Sequence, residues 1–467
     1  MPGQTIRFNA FAMNCVGHQS PGLWAHPRDR SWRYKDLEYW QDLARTLERG
    51  IFDGVFIADV VGYYDVYKGS NWHALEQAAQ IPVNDPLQLA APIALATDHL
   101  GIGITASTSF EHPYTFARRL STADHHTKAG SDGTSSRPTW RAEPGMSARA
   151  ACSAMTTATR SRRNTSKFST SSSRGVGRMG RSCGTGIGGS SRTRRRSMRS
   201  ATAGGTSRSP AIISASPHRS AHPCSTKPAR RAPARPSRQR MPNASSWPRP
   251  SRRCSGLCLR CPRQAVAAGR SAEDILIYNL TTVIVAETDE AAQRTFEDYQ
   301  NYASYDGALV FMSGWSGIDF GQYAPTDLVK KVETNAIVSM VETFTADEKP
   351  WSIAELARWG GIGGIGPVFV GSPTTVADIL QEWVEETGVD GFNLAYAVTP
   401  ETFEDTVNLL VPELQRRGVY PKAYRPGTLR EKLFGRGAYL PESHPAHGYR
   451  DIEAVKAREA AGLAAAE

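Results

Sequence analysis

Gly54-Val55-Phe56-Ile57-Ala58-Asp59 is the stretch that decides the fold. The run is apolar up to its closing carboxylate, too short for a helix and too evenly apolar for a half-exposed strand, so it predicts a buried strand of a parallel sheet. Polar residues at the carboxyl ends of such strands face the ligand pocket in barrels and doubly wound sheets. Asp59 is therefore a candidate site residue, and the alternative is an aspartate that caps a helix or faces solvent.

Strand and helix patterns alternate on both sides of this stretch. The alternation predicts a parallel α/β fold whose unit length suits a (β/α)8 barrel. Strands are predicted at 6–11, 54–59, 100–105, 275–285, 367–371 and 391–395, and helices at 34–49, 86–97, 113–125, 289–299, 374–386 and 402–417.

Three local features carry more specific expectations. The helix at 34–49 is predicted to end at Gly50 as its C-cap. Its buried face is predicted to consist of Leu37, Trp40, Leu43, Ala44 and Leu47. A glycine cluster at 360–366 lacks the strand context of a dinucleotide fold and predicts a flexible loop near the barrel mouth. The polar tail at 420–467 is predicted to cover surface.

One segment carries the excess positive charge of the chain. Residues 126–262 hold 28 Lys and Arg against 2 Asp and Glu, which leaves 27 basic and 43 acidic residues for the rest of the 467. The segment has no tyrosine, and its only Phe, Val and Leu residues are Phe168, Val176, Leu257 and Leu259. Burial of so few large apolar side chains cannot offset the conformational entropy that the segment would lose on folding. The segment is therefore predicted to be disordered.

Two functional interpretations of this segment are weighed against a simpler one. Arginines at 192–199 could form a nucleic-acid patch, but stacking aromatic residues are missing beside them. The spacing of Cys254, Cys258 and Cys261, with His218 and His222 upstream, resembles a zinc site. The simpler explanation is that these cysteines result from translation of the segment in a wrong reading frame, for which the evidence is given below. No metal site is therefore predicted.

Several short motifs form an ordered set. They are Ala44 to Gly50, Phe52-Asp53, Phe56 to Asp59, Asp98 to Gly103 with Thr105 and Ser107, Pro113-Tyr114 with Ala117-Arg118, Pro367 to Gly371, Asp390 to Phe392, and Val411 to Gln415 with Arg417-Gly418. Together they cover about two thirds of the chain and resemble the bacterial luciferase-like, FMN-dependent monooxygenases. The branch they resemble contains component A of nitrilotriacetate monooxygenase and the dibenzothiophene-sulfone and pristinamycin monooxygenases.

The resemblance implies a (β/α)8 TIM barrel that binds reduced FMN at the carboxyl ends of its strands. Asp59 matches the flavin-site aspartate of the family and Thr105 its flavin-contacting threonine. The alternative for Thr105 is a β-branched strand residue, and Ser107 and Thr108 are more readily explained as structural. The implied activity is oxygenation by O2 of a small organic substrate, of the nitrilotriacetate type or related, with an NAD(P)H:flavin oxidoreductase supplying the flavin. The catalytic residues are not identified, and a homo-oligomer is expected once the chain is correctly translated.

Three stretches that supply flavin contacts in this family are absent from the chain as written. Residues 132–140, 155–173 and 217–228 can be encoded by codons that, read one nucleotide out of register, give sequences close to those stretches, the first being RNIVTSYL. We infer that 129–262 is an out-of-frame translation. The predicted organisation is then 1–128, the N-terminal part of the barrel; 129–262, the out-of-frame segment; 263–419, the C-terminal part; and 420–467, the tail.

The rival classes are a non-enzymatic, Arg-rich nucleic-acid-binding protein and an inactive frameshifted product. The first residues, Met1 to Thr5, lack the basic and apolar regions of a signal peptide, and no apolar run is long enough to span a membrane. The expected location is therefore the cytoplasm, with neither a membrane nor a nucleic acid as a partner.

Overall fold

A computed structural model of the chain describes residues 5–107, 110–127, 264–267, 269–329 and 351–437, together with the main chain of 139–143. Seven strands are described: β1 Arg7–Met13, β2 Gly54–Ala58, β3 Gly101–Ser107, β4 Thr139–Glu143, β5 Tyr278–Val285, β6 Val368–Gly371 and β7 Gly391–Ala395. The α-helices are α1 Leu37–Arg49, α2 Trp72–Glu76, α3 Ala90–Ala96, α4 Pro113–His126, α5 Asp289–Gln300, α6 Tyr305–Ser316, α7 Ile353–Gly360, α8 Pro373–Thr387, α9 Glu401–Asp405, α10 Val411–Arg416 and α11 Leu429–Phe434.

The seven strands form one parallel sheet in the order β4-β3-β2-β1-β7-β5-β6. The first strand lies at the centre, since Ala10 pairs with Val55 of β2 on one side and with Leu394 of β7 on the other. Helices follow the strands, which gives a TIM-barrel-like α/β fold and confirms the predicted class. β4 falls within 129–262, where the sequence predicts no strand, and residues 144–263 lie outside the described part.

The sheet is buried on both faces, as the apolar run at 54–59 predicts. Ile57 and Ile102 belong to the large core between the strands and the helices. Phe11, Phe56, Leu280 and Ala395 form a second, smaller cluster on the opposite face of the sheet. We call this second cluster the barrel interior. Each strand therefore alternates between the helix layer and the barrel interior.

The buried face of α1 is confirmed except at its first residue. Trp40, Leu43, Ala44 and Leu47 are buried, but Leu37 is 53% exposed. The helix begins at Leu37 rather than at residue 34, so this side chain lies at the open end of its first turn. The prediction that Leu37 is buried is therefore wrong.

The glycine that ends α1 is required by packing and not by its backbone conformation. Gly50 follows Arg49 directly at φ −80°, and the positive φ of 57° belongs to the next residue, Ile51. A Cβ at Gly50 would lie 2.4 Å from Cγ2 of Val407. The C-cap position is confirmed, but a left-handed glycine there is not found.

The last predicted helix is interrupted. Between α9 and α10 the segment Thr406–Leu410 forms a π-helical turn in which the Val411 N–H donates to the Thr406 carbonyl. Pro412 has no N–H to offer the carbonyl four residues before it, so a regular α-helical ladder cannot continue through this point. The single helix predicted at 402–417 is thus three consecutive segments.

Part of the tail is core rather than surface. Tyr420 and Leu429 are buried, and the Tyr420 hydroxyl donates to the carbonyls of Gly50 and Ile51, both at 3.0 Å. The Tyr424 hydroxyl donates to the Phe52 carbonyl at 2.7 Å. The prediction that 420–467 only covers surface is therefore wrong for 420–437, and 438–467 lies outside the described residues.

A cap of residues 60–85, 304–329 and 351–366 has a hydrophobic core of its own, to which Tyr64, Phe311 and Trp315 contribute. It is joined to the loop after β1, since Ser304 N–H donates to the Pro21 carbonyl at 2.9 Å. The cap therefore lies at the carboxyl end of the sheet.

The glycine cluster belongs to this cap. The Gly363 N–H donates to the Ser20 hydroxyl at 3.1 Å, which places the loop at the barrel mouth as predicted. Gly363 has φ 77°, and a Cβ there would lie 2.9 Å from Oγ1 of Thr282. The loop is buried and tightly packed, so the prediction that it is flexible is wrong.

Candidate functional site

β2 and β3 end side by side at the same edge of the sheet. Ile57 is paired with Ile104, so Ala58 is level with Thr105, and Asp59 follows one residue further on. The two residues singled out in the sequence are therefore backbone neighbours at the barrel mouth.

Thr105 faces the barrel interior. Ile102 and Ile104 both pack in the core on the helix side of β3, and successive side chains of a strand alternate. Thr105 is half-buried, as a residue facing a ligand space should be. The Ser107 hydroxyl accepts the Phe110 N–H at 3.3 Å and so closes a turn, which agrees with a structural role. Thr108 lies outside the described residues.

Asp59 is half-buried just past the end of β2. Burial raises its pKa to about 6, the negative charge of Asp85 adds to the rise, and the Val60 N–H opposes it. Within the described part of the chain no Lys or Arg forms an ion pair with Asp59. The site thus holds a carboxylate whose charge is left uncompensated by these residues.

The neighbouring acid, Asp85, is already engaged. Its carboxylate accepts the Leu87 N–H at 2.9 Å and so caps the turn that precedes α3. It also pairs with Arg119 at 2.7 Å, and the same guanidinium contacts Glu111 at 2.6 Å. Arg119 is therefore shared between two carboxylates, one of which, Asp85, acts on Asp59.

His18 lies on the loop after β1, a position that the sequence analysis missed. Its ring packs edge-on against Phe11 at 4.4 Å and lies 6.1 Å from the ring of Tyr396. Burial lowers the pKa of His18 to about 3, so the imidazole is neutral at physiological pH. No motif marks this histidine in the sequence, because its significance comes from the fold.

A hydrogen-bond relay joins the cap to this loop. The Trp315 Nε1–H donates to the Tyr64 hydroxyl at 3.3 Å, and that hydroxyl donates to Gln80 Oε1 at 2.6 Å. Gln80 Nε2 donates in turn to the His18 carbonyl at 2.7 Å. Gln80 has φ 58° and Ala78 has φ 47°, a left-handed conformation that costs non-glycine residues about 1–2 kcal/mol each. Strain of this kind is held in place by the surrounding contacts.

Several buried polar atoms near the mouth have no hydrogen-bond partner among the described residues. They are Asn14 Oδ1, His18 Nδ1, Gln19 Oε1 and Thr282 Oγ1. A buried polar atom without a partner is costly, and such atoms commonly await a ligand or water. Two of the four, the amide oxygens, can only accept, so the mouth suits a ligand that carries N–H or O–H donors.

No group of three or more His, Cys, Asp or Glu residues capable of holding a metal occurs in the described ranges. The cysteines and histidines with zinc-like spacing lie outside those ranges. Cys15, at the mouth, is a free thiol whose pKa is raised by burial and by Asp59.

Comparisons with known proteins identify the family. Dimethyl-sulfide monooxygenase of Hyphomicrobium sulfonivorans is 38% identical over 461 residues, which cover 96% of this chain and 94% of that protein. Long-chain alkane monooxygenase of Geobacillus thermodenitrificans is 34% identical, over 96% of this chain and 98% of that protein. The chain belongs to the luciferase-like monooxygenases.

Solved structures of luciferase-like monooxygenases agree with this assignment. The crystal structure of DmoA from Hyphomicrobium sulfonivorans has a TM-score of 0.70 with this chain at 36% identity and covers 96% of both chains. A riboflavin lyase solved with modified FMN and riboflavin has a TM-score of 0.69 at 25% identity, over 96% of this chain and 100% of that one. No family model matches the chain.

The family assignment makes the chain a monooxygenase. Its family uses a reduced flavin, and its members are oxygenase components that work with a flavin reductase. The narrower branch expected from the sequence is less well supported: nitrilotriacetate monooxygenase component A is 27% identical over 88% of this chain and 93% of that protein. In the described residues no helix of this luciferase-like monooxygenase is long and apolar enough to cross a membrane.

Proposed function

We propose that this chain is the oxygenase component of a two-component system. It takes reduced FMN from a separate NAD(P)H:flavin oxidoreductase and uses O2 to oxygenate a small organic substrate. The observation that supports the proposal is the position of Asp59 and Thr105 next to each other near the carboxyl ends of adjacent strands, beside buried acceptors without partners among the described residues. Carbonyl and carboxylate acceptors around one mouth suit a ring that presents several N–H donors.

The residues present fit a reduced flavin. Its ring carries N–H groups and its ribityl chain carries hydroxyls, so Asp59, Asn14 and Gln19 are the acceptors that would hold it, with Thr105 contacting it from the barrel interior. When bound, reduced flavin supplies the two electrons that split O2, with one oxygen atom entering the substrate and the other leaving as water.

The chain's own contribution is positioning and the exclusion of water. Phe11 and Phe56 line the barrel interior, and Gln80 joins the cap to the loop after β1 through the His18 carbonyl. A dry, apolar environment excludes water from the reaction and prevents side reactions such as hydrolysis of reactive intermediates. His18 is neutral, and its Nε2 lies 3.3 Å from the side-chain amide nitrogen of Gln19, so Nδ1 is the ring nitrogen that remains for a ligand.

We also propose that residues 129–262 are out of frame and that the frame-corrected chain is the active form, a cytoplasmic homo-oligomer. The support for this is the order in which the shifted codons reproduce three stretches of the family. The candidate substrates suggested by the relatives are a dialkyl sulfide, an alkane and an aminopolycarboxylate, as the names of those relatives state.

Flavin titration tests the proposal. The frame-corrected chain is mixed anaerobically with increasing reduced FMN, and binding is followed by quenching of tryptophan fluorescence. A saturable site, and O2 consumption that depends on added flavin reductase, NADH and FMN, are expected. Absence of a saturable site in the corrected, folded protein would overturn the proposal.

A further inference from the structure

A cavity lies at the amino ends of the strands, at the opposite end of the sheet from the mouth. Its volume is about 90 Å³, which gives room for roughly six to nine water-sized groups. The start of β1, the turn before β2 and the segment 420–432 enclose it, and its charged and tyrosine side chains are Arg7, Asp53, Tyr420, Tyr424, Arg425 and Lys432. The cavity shares no residue with the candidate flavin site, so what it binds is independent of the proposed function.

Two aromatic rings line one side of this cavity. The Tyr420 hydroxyl donates to backbone carbonyls at 3.0 Å and the Tyr424 hydroxyl to another at 2.7 Å, so neither proton is left for a ligand. The Tyr420 ring lies 5.0 Å from that of Phe8, and the Tyr424 ring 4.8 Å from that of His99. This side of the cavity therefore suits the hydrocarbon part of a ligand.

One positive charge at the cavity is already balanced. Arg7 Nη1 lies 3.1 Å from Asp53 Oδ1, and Arg7 Nη2 donates to the Leu433 carbonyl at 3.1 Å. The Tyr278 hydroxyl donates to the same Asp53 carboxylate at 2.7 Å. The charged side chains that a ligand could still pair with are therefore the other two in the lining, Lys432 and Arg425.

Lys432 is a buried amine without a carboxylate partner in the described part of the chain. It is 6% exposed, and its Nζ lies 3.2 Å from His99 Nδ1 and 5.3 Å from the centre of the Tyr424 ring. Burial lowers the pKa of Lys432, and the charge of Glu48 opposes this only in part, since Glu48 Oε1 accepts the N–H groups of residues 98–100. A buried cation is costly unless an anion is paired with it.

Arg425 places a second cation on the solvent side of the cavity. Its side chain is exposed and forms no ion pair with any residue that the structure describes. Because Arg7 and Asp53 balance each other, Lys432 and Arg425 give the lining an excess of positive charge. An oxyanion can form charge-assisted hydrogen bonds with an ammonium and with a guanidinium group at once.

From this lining, we propose that the cavity binds a small oxyanion with a short hydrocarbon part. The anionic group lies on Lys432 and Arg425, and the hydrocarbon lies against Tyr420 and Tyr424. Carboxylates and phosphate monoesters share this chemistry, and the volume restricts the ligand to roughly six to nine non-hydrogen atoms. Binding fastens the segment 420–432 to the start of β1, away from the flavin chemistry.

Butyrate and butyramide form a matched pair that tests the proposal. They have the same propyl chain and the same number of non-hydrogen atoms, and they differ in charge. Each is titrated by calorimetry at constant ionic strength into the full-length chain, in its printed and frame-corrected forms, because the cavity lies outside 129–262. Butyrate is expected to bind with a Kd of about 1 mM or lower, and butyramide at least about tenfold more weakly, since it cannot form a charge-assisted hydrogen bond.

Methyl phosphate, titrated in the same way, distinguishes the two kinds of oxyanion. Tighter binding of methyl phosphate identifies a phosphate monoester as the ligand class, and tighter binding of butyrate identifies a carboxylate. Either result supports the proposal. Equal binding of butyrate and butyramide, or no saturable binding of either anion by the folded chain, overturns it.

Two variants locate the anion. Lys432→Met keeps most of the side-chain volume and removes the buried charge, so butyrate should bind at least about tenfold more weakly. Its stability to urea should not fall, because an apolar side chain replaces a buried cation that lacks an anion. Arg425→Gln changes only an exposed residue and should weaken butyrate binding by about threefold, which keeps the test decisive if Lys432→Met does not fold.

Lys422→Gln is the matched control for the exposed arginine. Lys422 is exposed, lies three residues before Arg425 and does not line the cavity. The substitution makes the same charge change and should alter butyrate affinity by less than about twofold, because solvent screens the lost charge. Butyrate affinity that is unchanged in Lys432→Met and in Arg425→Gln would show that the anion binds elsewhere, and would overturn the proposal.

Discussion

The Tyr64 hydroxyl donates a 2.6 Å hydrogen bond to Gln80 Oε1, and Gln80 Nε2 donates in turn to the His18 carbonyl at 2.7 Å, which fixes the cap to the loop that carries His18. Both side chains are buried, and Gln80 holds its geometry in a left-handed backbone conformation. Loss of the Tyr64 hydroxyl should therefore destabilise both the cap and the loop at the mouth.

Tyr64→Phe is expected to destabilise the protein by about 1–2 kcal/mol, because Gln80 Oε1 and Trp315 Nε1 lose their shared partner while remaining buried. The free energy of unfolding is measured by urea denaturation. Tyr63→Phe is the matched control, since Tyr63 is the neighbouring tyrosine and is 38% exposed, and its effect should stay within about 0.5 kcal/mol. Equal effects of the two substitutions would contradict the role of the relay.

Asp59→Ala is expected to weaken binding of reduced FMN by about 1–3 kcal/mol, the usual cost of leaving a buried polar partner unsatisfied. The measurement is the anaerobic flavin titration of the frame-corrected chain. Unchanged affinity would show that Asp59 is not part of the flavin site. Folding of the variant is checked by circular dichroism, and if Asp59→Ala does not fold, Asp59→Asn is titrated in its place.

The pKa of Asp59 gives a signed pH dependence. Because the folded-state pKa of about 6 lies above the ordinary value of 3.8, the folded protein binds the proton more tightly, and stability falls as pH rises from about 4 to about 6. Flavin that donates to the ionised carboxylate has the opposite trend, so its affinity should fall as pH is lowered through about 6. Asp59→Asn should flatten both profiles. Asp85→Asn should move both midpoints to lower pH, and midpoints that stay in place would show that Asp85 does not act on Asp59.

Gly50→Ala is expected to destabilise the protein by about 1–3 kcal/mol through overpacking against Val407, although φ −80° suits alanine. Urea denaturation measures the change. Gly437→Ala is the control, because Gly437 is exposed and a Cβ there meets nothing within 4 Å. A neutral Gly50→Ala would mean that the helix end relaxes around the added methyl group.

The reading frame makes a prediction about the gene. A small insertion or deletion near codon 129 and a compensating one near codon 262 should restore Asn-Ile-Val-Thr-Ser and Tyr-Gln-Ala-Gly. The printed chain is expected to be poorly soluble and to show no useful FMN affinity, while the corrected chain binds. The prediction is wrong if resequencing shows that the gene encodes the printed protein in one continuous frame, or if the printed chain binds FMN tightly.

The strands could be predicted because burial on both faces leaves an unmistakable run of apolar residues, as at Val55 to Ala58. The π-helical turn at 406–410 was not predicted, because the helical pattern is regular on both sides and only Pro412 indicates an interruption. The burial of Tyr420 depends on carbonyls of residues 50 and 51, which no local pattern reveals. Local periodicity therefore determined the elements, while distant contacts determined where they end.

The candidate site divides in the same way. Asp59 follows a recognisable strand and Thr105 lies near the end of another, so their position near the carboxyl ends of the strands could be predicted from the sequence. His18 and Gln80 lie in irregular loops, and their importance comes from a carbonyl 62 positions away and from strained backbone. The raised pKa of Asp59 likewise depends on burial and on the nearby charge of Asp85, 26 positions away, which is a property of the assembled fold.

The central place of β1 in the sheet has a consequence for synthesis on the ribosome. Its second neighbour, β7, is complete only at Ala395, some 380 residues after Met13. At ~5–20 residues per second, the first strand leaves the ribosome roughly 20–80 s before that partner exists. During this interval one backbone edge of β1 has no partner and can pair with another nascent chain, so we expect shielding of the first strand by molecular chaperones to raise the yield of folded protein in cells.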